Sequence, residues 1–228
     1  EYPSWATFLG YDILANSTVC KKTTGSFTFS DVTGHPTGAK YIAASNNFLY
    51  YAGHDSGTLG WYDVGTLTYS AVNALIITKD ENNSIVGLRP YGTGVLVFCQ
   101  KSFYLVVGDN NLEHGVAHAN LSEGCASNTA IVTTPAGVFW WTKSGIAWLK
   151  ADMSLDYPTM RKVPSTILTV TSSSSAYVHG LYDPIQQKVM FYQVTNSIGG
   201  GPGPYIRIDY YFPTDRVYLH DGDGVQMY

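Results

Sequence analysis

His114 and His118 stand four residues apart and follow Glu113. On a helix that spacing puts two imidazoles on one face, the arrangement zinc proteases use. The flanks Gly108-Asp109-Asn110-Asn111 and Gly115 favour a loop, and the Glu precedes the first His instead of following it. A loop is therefore expected here, without a zinc site. Asp109, Asn111 and Glu113 alternate like the first ligands of a calcium loop, but His114 occupies the position of the turn glycine. Asn120 stands where a bidentate Glu belongs, so this segment also reads as a turn. Asp221-Gly222-Asp223-Gly224 sets two carboxylates in a Gly-rich stretch, which reads as a hairpin tip.

Nucleophilic chemistry finds no better support. There is no G-x-S-x-G elbow, and Cys125 in Glu123-Gly124-Cys125-Ala126-Ser127 has no His nearby in sequence. Sugar hydrolysis needs two facing carboxylates that can be distant in sequence. Asp152, Asp156 and Asp183 read as turn or cap residues, and Asp183-Pro184 as turn initiation. Cys20, Cys99 and Cys125 are odd in number and widely spaced, against a disulfide framework or a zinc site and in favour of buried thiols. Sequons occur at Asn16, Asn82 and Asn120, triplets that also arise by chance. The expectation is a non-enzyme with no catalytic, cofactor-binding or metal-binding residue to assign, and no cofactor.

Aromatic residues make up 14% of the chain, enough for either sugar-stacking platforms or packing between elements. They fall inside apolar runs, where packing is the better reading; platforms would sit in turns. Charged residues are only 13%, fewer than an isolated soluble domain carries on its surface, so neighbours are expected to cover part of it. The net charge is −4, and the densest basic spots are Lys21-Lys22 and Arg161-Lys162. A binder that neutralises phosphates needs a basic stripe, so tight binding of DNA or RNA is not expected. The longest apolar stretch, around Val95 to Phe98, is far too short for a membrane span.

The elements that carry these residues read as strands. Few windows sustain a helical apolar period; Ala126 to Ala130 reads as one short turn and Pro158 to Leu168 as an irregular piece. Elsewhere short apolar runs alternate with turn clusters. Lys40 to Ala44, Asn46-Asn47 and Phe48 to Ala52 form a hairpin. Ser84 to Arg89, Val95 to Cys99 and Ser102 to Val107 give three further strands, and Thr129 to Thr133, Val138 to Thr142 and Ile146 to Leu149 repeat them. Tyr177 to Leu181 with Lys188 to Val194 begins another unit, and Tyr205 to Tyr211 with Arg216 to His220 begins the last. Gly199 to Pro204 reads as a flexible loop inside one unit.

The pairs Gly94-Val95 and Gly137-Val138 each open a strand that leads to Lys-Ser, at Lys101-Ser102 and Lys143-Ser144. A period of about 40 to 50 residues with several short strands per repeat is how a β-propeller reads. The expected fold is all-β, a β-propeller-like array of antiparallel three- to four-stranded sheets. Residues 1–228 would form a propeller or a large part of one. An opening at Glu1 and an ending on a strand-like run suggest a segment of a longer polypeptide.

Ile85 to Gly108 resembles a recurrent stretch of bacteriophage tail and head–tail connector propellers, in which an I-x-x-L strand leads to an apolar strand and, after a polar turn, to a third strand ending in Gly. Gly124-Cys125-Ala126-Ser127-Asn128-Thr129-Ala130 is similar to that family's G-C-x-S/A-x-x-S/A link, and Gly137 to Ile146 to its following hairpin. Tyr51-Ala52-Gly53 fits its strand end. The resemblance covers residues 36 to 150 well and the remainder by pattern. It implies a structural virion protein of a phage tail, a nozzle or hub subunit of short-tailed phages. Such a protein is assembled in the host cytoplasm and self-associates into a ring, usually a hexamer. Portal or adaptor and tail-fibre proteins are its implied neighbours, and genomic double-stranded DNA passes through its lumen without sequence-specific binding during ejection. A carbohydrate- or receptor-binding propeller at the tail tip is the alternative, and a glycoside-processing enzyme a third reading.

Overall fold

The computed structural model describes residues 3–25, 28–142, 144–160, 162–163, 176–195, 205–221 and 224–227. These form an all-β structure of five antiparallel sheets, each a simple up-and-down meander. Two compact units are present, residues 1–124 and 125–228. The Gly199–Pro204 loop, Arg161, most of the 158–168 piece and the centre of the Asp221–Gly224 tip lie outside the described residues.

The first unit holds three sheets. Sheet one is β1 (Ser4–Phe8), β2 (Tyr11–Ala15), β3 (Cys20–Thr23) and β4 (Ser30–Asp31). Sheet two is β5 (Tyr41–Ser45), β6 (Phe48–Ala52), β7 (Thr58–Trp61) and β8 (Ala74–Ile76). Sheet three is β9 (Ile85–Tyr91), β10 (Gly94–Cys99), β11 (Phe103–Gly108) and β12 (His114–Asn120). Their first strands run beside one another, β1 against β5 and β5 against β9. Ser4 fastens the first contact: its buried Oγ accepts from Ile42 N at 3.1 Å and donates to Ile42 O at 3.3 Å.

The β6 sequence Phe48-Leu49-Tyr50-Tyr51-Ala52 is apolar throughout because both of its faces are covered. Successive strand side chains point to opposite faces. Leu49 and Tyr51 enter a core with Phe8, Ile13 and Ile42, whereas Phe48, Tyr50 and Ala52 enter another with Leu88, Val95 and Val97. Burying one such side chain contributes roughly 1.5–3 kcal/mol. The Asn46-Asn47 turn before β6 has φ of 46° and 61°, the left-handed pair that a two-residue hairpin needs and Asn tolerates.

The second unit holds two sheets. Sheet four is β13 (Ile131–Thr134), β14 (Gly137–Thr142), β15 (Gly145–Leu149) and β16 (Leu155–Asp156). Sheet five is β17 (Ala176–Asp183), β18 (Lys188–Thr195), β19 (Tyr205–Tyr211), β20 (Arg216–Asp221) and β21 (Gly224–Met227). They share a core that includes Phe139, Trp141, Val189, Phe191, Ile208 and Leu219. The link before β13 contains a short 3-10 turn, Asn128–Ala130, where sequence reading placed one.

Three features differ from the sequence reading. The stretches starting at Tyr177 and Tyr205 are not two units: β18 pairs with β19 along seven residues, so one sheet contains both. Sheet one has no counterpart in the apolar pattern, because β3 is Cys-Lys-Lys-Thr and β4 only two residues long. His114 to Asn120 is strand β12 and not a loop. Pairing with β11 overrides its polar, Gly-containing composition.

Candidate functional site

The densest set of side-chain bonds in the first unit ties the loop ends of sheets two and three together. Asp63, just after β7, is its hub. One of its carboxylate oxygens accepts from Asn73 Nδ2 at 2.7 Å and from Asn111 Nδ2 at 3.0 Å. Asn111, in the β11–β12 loop, accepts from Val64 N at 2.9 Å through its side-chain oxygen. The Trp61 indole N–H donates to the Asn111 carbonyl at 3.3 Å. Asn46 Nδ2, at the β5–β6 turn, donates to Gly108 O at 3.0 Å and to Asp109 at 3.3 Å.

His114 locks this loop from beneath. Its ring stacks on Trp61 at 3.8 Å between centroids and meets Phe48 edge-on at 4.7 Å. Its Nε2 lies 3.1 Å from the Tyr50 hydroxyl. Burial lowers the imidazole pKa, partly offset by the Asp109 charge, and raises that of the Tyr50 phenol. Such a neutral, stacked imidazole is a packing element. The surface it supports carries exposed Val64, Val72 and Leu112 beside the exposed carboxylates of Asp109 and Glu113. Residues 62–73 and 109–113 contain no Lys or Arg. The result is a pre-organised, apolar and acidic loop surface suited to binding, with its polar groups engaged in holding shape.

Elsewhere in the first unit a cavity of about 350 Å³ lies between residues 16–20 and 31–37, with Cys20, Asp31 and His35 in its lining. That trio invites a thiolate reading, which the electrostatics oppose. Burial, with the Asp31 charge, pushes the Cys20 thiol up to about 12, so it is a poor nucleophile at neutral pH. His35 engages both ring nitrogens, Nδ1 at 2.6 Å from the Tyr62 hydroxyl and Nε2 at 2.8 Å from Ala39 O.

The candidates named from sequence fall as follows. His114 and His118 share a strand that bulges between them; the His114 ring packs on Trp61 and Phe48, whereas His118 is exposed with its ring 6.0 Å from that of Phe103, so the two do not converge on an ion. Glu113 accepts from Asn110 Nδ2, and Asn110 accepts from Leu112 N at 2.9 Å, which makes 109–113 a turn. Among the described residues no group of three or more His, Cys, Asp or Glu is placed to hold a metal ion. Cys20, Cys99 and Cys125 are all buried, and the Cys125 thiol donates to Ser127 O at 3.2 Å. Asp152 and Asp183 form side-chain turns with Ser154 and with Ile185 and Gln186. Asp156 differs, lying in β16 and pairing with Lys150 at 3.0 Å. Asn16 and Asn120 of the sequons also make side-chain turns. Trp61, Trp140 and Trp141 are buried, and Trp148 is half-buried and stacked on Phe139 at 5.0 Å.

Sequence reading missed the Asp63 hub. Its signal was faint: an Asp and two Asn in loops, the residue types that cross-link turns through side-chain amides.

No family model matches the chain, and no curated protein matches it in sequence. Solved structures do match in fold. A protein described as the extracellular domain of a one component system, BT4673 of B. thetaiotaomicron, aligns over 98% of this chain with a TM-score of 0.51 at 13% identity; this chain spans only 31% of its length. Kluyveromyces lactis Hsv2 aligns over 98% of this chain and 72% of its own, with a TM-score of 0.50 at 9% identity. The Neurospora crassa Pan2 WD40 domain aligns over 96% and 71%, with a TM-score of 0.50 at 7% identity. At such identities the likeness is one of fold alone: this chain is an all-β, β-propeller-like array of antiparallel sheets.

Proposed function

We propose that this chain is a non-catalytic structural protein of a bacteriophage tail, a nozzle or hub subunit that associates into a ring and forms part of the DNA ejection conduit. The observation that carries the reading is the run Ile85 to Gly108 and its partner Gly124 to Ile146, which resemble the strand and link motifs of phage tail propellers. These runs form β9–β11 and the link into β13–β15, so the motifs fall on corresponding strands of two sheets. Low charge content agrees with a surface covered by neighbouring virion proteins, and the acidic balance with a lumen that does not hold DNA. The apolar, acidic loop surface around Val64 and Leu112 suits a protein neighbour. A tail-tip sugar-binding role needs exposed aromatic platforms. Trp61 is 3% exposed and covered by His114, which weighs against it.

The test is electron microscopy of the purified chain together with antibody labelling of phage particles. Rings in the first and label at the tail are the expected results. A protein that stays a single copy at all concentrations and is absent from particles rejects the reading. Specific glycan binding lost on Trp148→Ala would favour the alternative.

A further inference from the structure

Sheets one and five each bury one face in a core and leave the other open. In sheet five, strand register lines up Leu181, Met190, Asp209, Tyr218 and Met227 as one row across all five strands. The alternate residues, Val189, Phe191, Ile208 and Val217 among them, fill the core on the opposite side. Leu181 is 54% and Met227 65% exposed. In sheet one the open face carries the row Trp5, Leu14, Lys21 and Asp31 and, beside it, Thr7 and Asp12. Trp5 is 56% exposed. Sheet two, by contrast, has both faces of β6 buried.

The charges on the two open faces differ in sign. On sheet five Asp209 is 2% exposed and takes Arg207 through Nε at 2.6 Å and Nη2 at 2.5 Å, and Lys188 Nζ at 3.1 Å. His220 Nε2 lies 3.6 Å from the same carboxylate. Strand alternation puts Asp183 and Arg216 on this face too, where their charges cancel, so the two cations on Asp209 leave one positive charge over. On sheet one Lys21 pairs with Asp31 at 2.6 Å, while Asp12 accepts from the Thr7 hydroxyl at 2.8 Å. Two carboxylates with one ammonium leave a negative charge over. Lys188 and Asp209 are already desolvated and paired, so covering them strands no new charge.

We infer that these two faces are complementary and join copies of this chain head to tail, the sheet-one face of one copy against the sheet-five face of the next. The inference deepens the ring reading above and rests on it. Trp5 and Leu14 supply the apolar contact for Leu181, Met190 and Met227, and thioether sulfurs pack well on aromatic rings. Pairing either face with itself would set like surplus charges together, so the association is heterologous, the kind that builds rings or filaments.

Mass measurement by sedimentation on the full chain tests it, with Trp5→Glu and Leu181→Glu as variants. Both positions are exposed, and an unchanged far-ultraviolet dichroism spectrum and urea midpoint check that each variant folds. Each variant alone is expected to be monomeric, its self-affinity at least about 30-fold weaker, as for the loss of a central contact residue. An equimolar mixture should form a dimer and stop there, because each variant retains one intact face. Wild-type oligomers that survive both substitutions overturn the face assignment and leave the ring reading standing. Monomeric variants that do not dimerise on mixing overturn the head-to-tail arrangement. A wild type that remains a single copy at all concentrations overturns the inference, and the ring reading falls with it where the protein is also absent from phage particles.

Discussion

Two half-buried imidazoles in the first unit favour their neutral form, and that shapes how the fold responds to acid. Burial lowers the pKa of His35 and of His114 below the ordinary 6.5. The unfolded chain therefore takes up protons on these residues at a higher pH than the folded chain does. Their contribution to stability is fully present above 6.5 and is lost as the pH falls through the depressed folded values. Unfolding in urea should show a free energy that is level near neutral pH and declines below about pH 6.5, where imidazoles titrate. His114→Phe should keep an aromatic ring against Trp61 and Phe48 while making that decline shallower. An unchanged slope in His114→Phe would mean that His114 contributes nothing to it.

At the level of the element, the paired Gly-Val signatures have a steric cause. Gly94 and Gly137 open β10 and β14, the second strands of their sheets. A Cβ on Gly94 would lie 2.4 Å from Val106 O, and one on Gly137 2.1 Å from Leu149 O. In both sheets the carbonyl of the third strand passes directly over the start of the second. Gly137 also has φ of +129°, a conformation L residues rarely adopt. Gly137→Ala should then cost about 3 kcal/mol and exceed the cost of Gly94→Ala, as denaturant titration of the two variants would measure. Equal costs would remove the backbone part of the argument. This constraint is why the repeat was legible: steric need fixed Gly, and burial on both faces fixed the apolar runs of β6, β10 and β14. Sheet one was illegible because the lysines of β3 lie at half-exposed positions and break the apolar pattern. His114 was misread because its strand is an edge, mostly exposed, whose identity comes from pairing with β11 and not from its own composition. The Asp63 hub lay beyond sequence reading for a related reason, since Asn111 bonds to residues 47 and 48 positions away along the chain.

For the molecule as a whole, the proposed role requires that DNA move past it without being held. The chain has 17 acidic against 13 basic side chains. The ion pairs of the described residues also engage Lys21, Lys101, Lys150, Lys162, Lys188 and Arg207 with carboxylates. A cation already paired with a carboxylate cannot release counterions from a phosphate without giving up that partner, so these six add little to the number of phosphates neutralised. A labelled duplex should therefore show no anisotropy change with up to about 10 µM protein at physiological salt, a concentration at which many non-specific binders, with Kd of about 1–100 µM, already respond. The mild contact that remains at low salt should carry a shallow log–log slope, because acidic side chains outnumber basic ones. Sub-micromolar binding with a steep slope would mean a continuous basic track formed by the assembled copies. The protein would then grip its DNA, and the conduit reading would have to give way to one of retention.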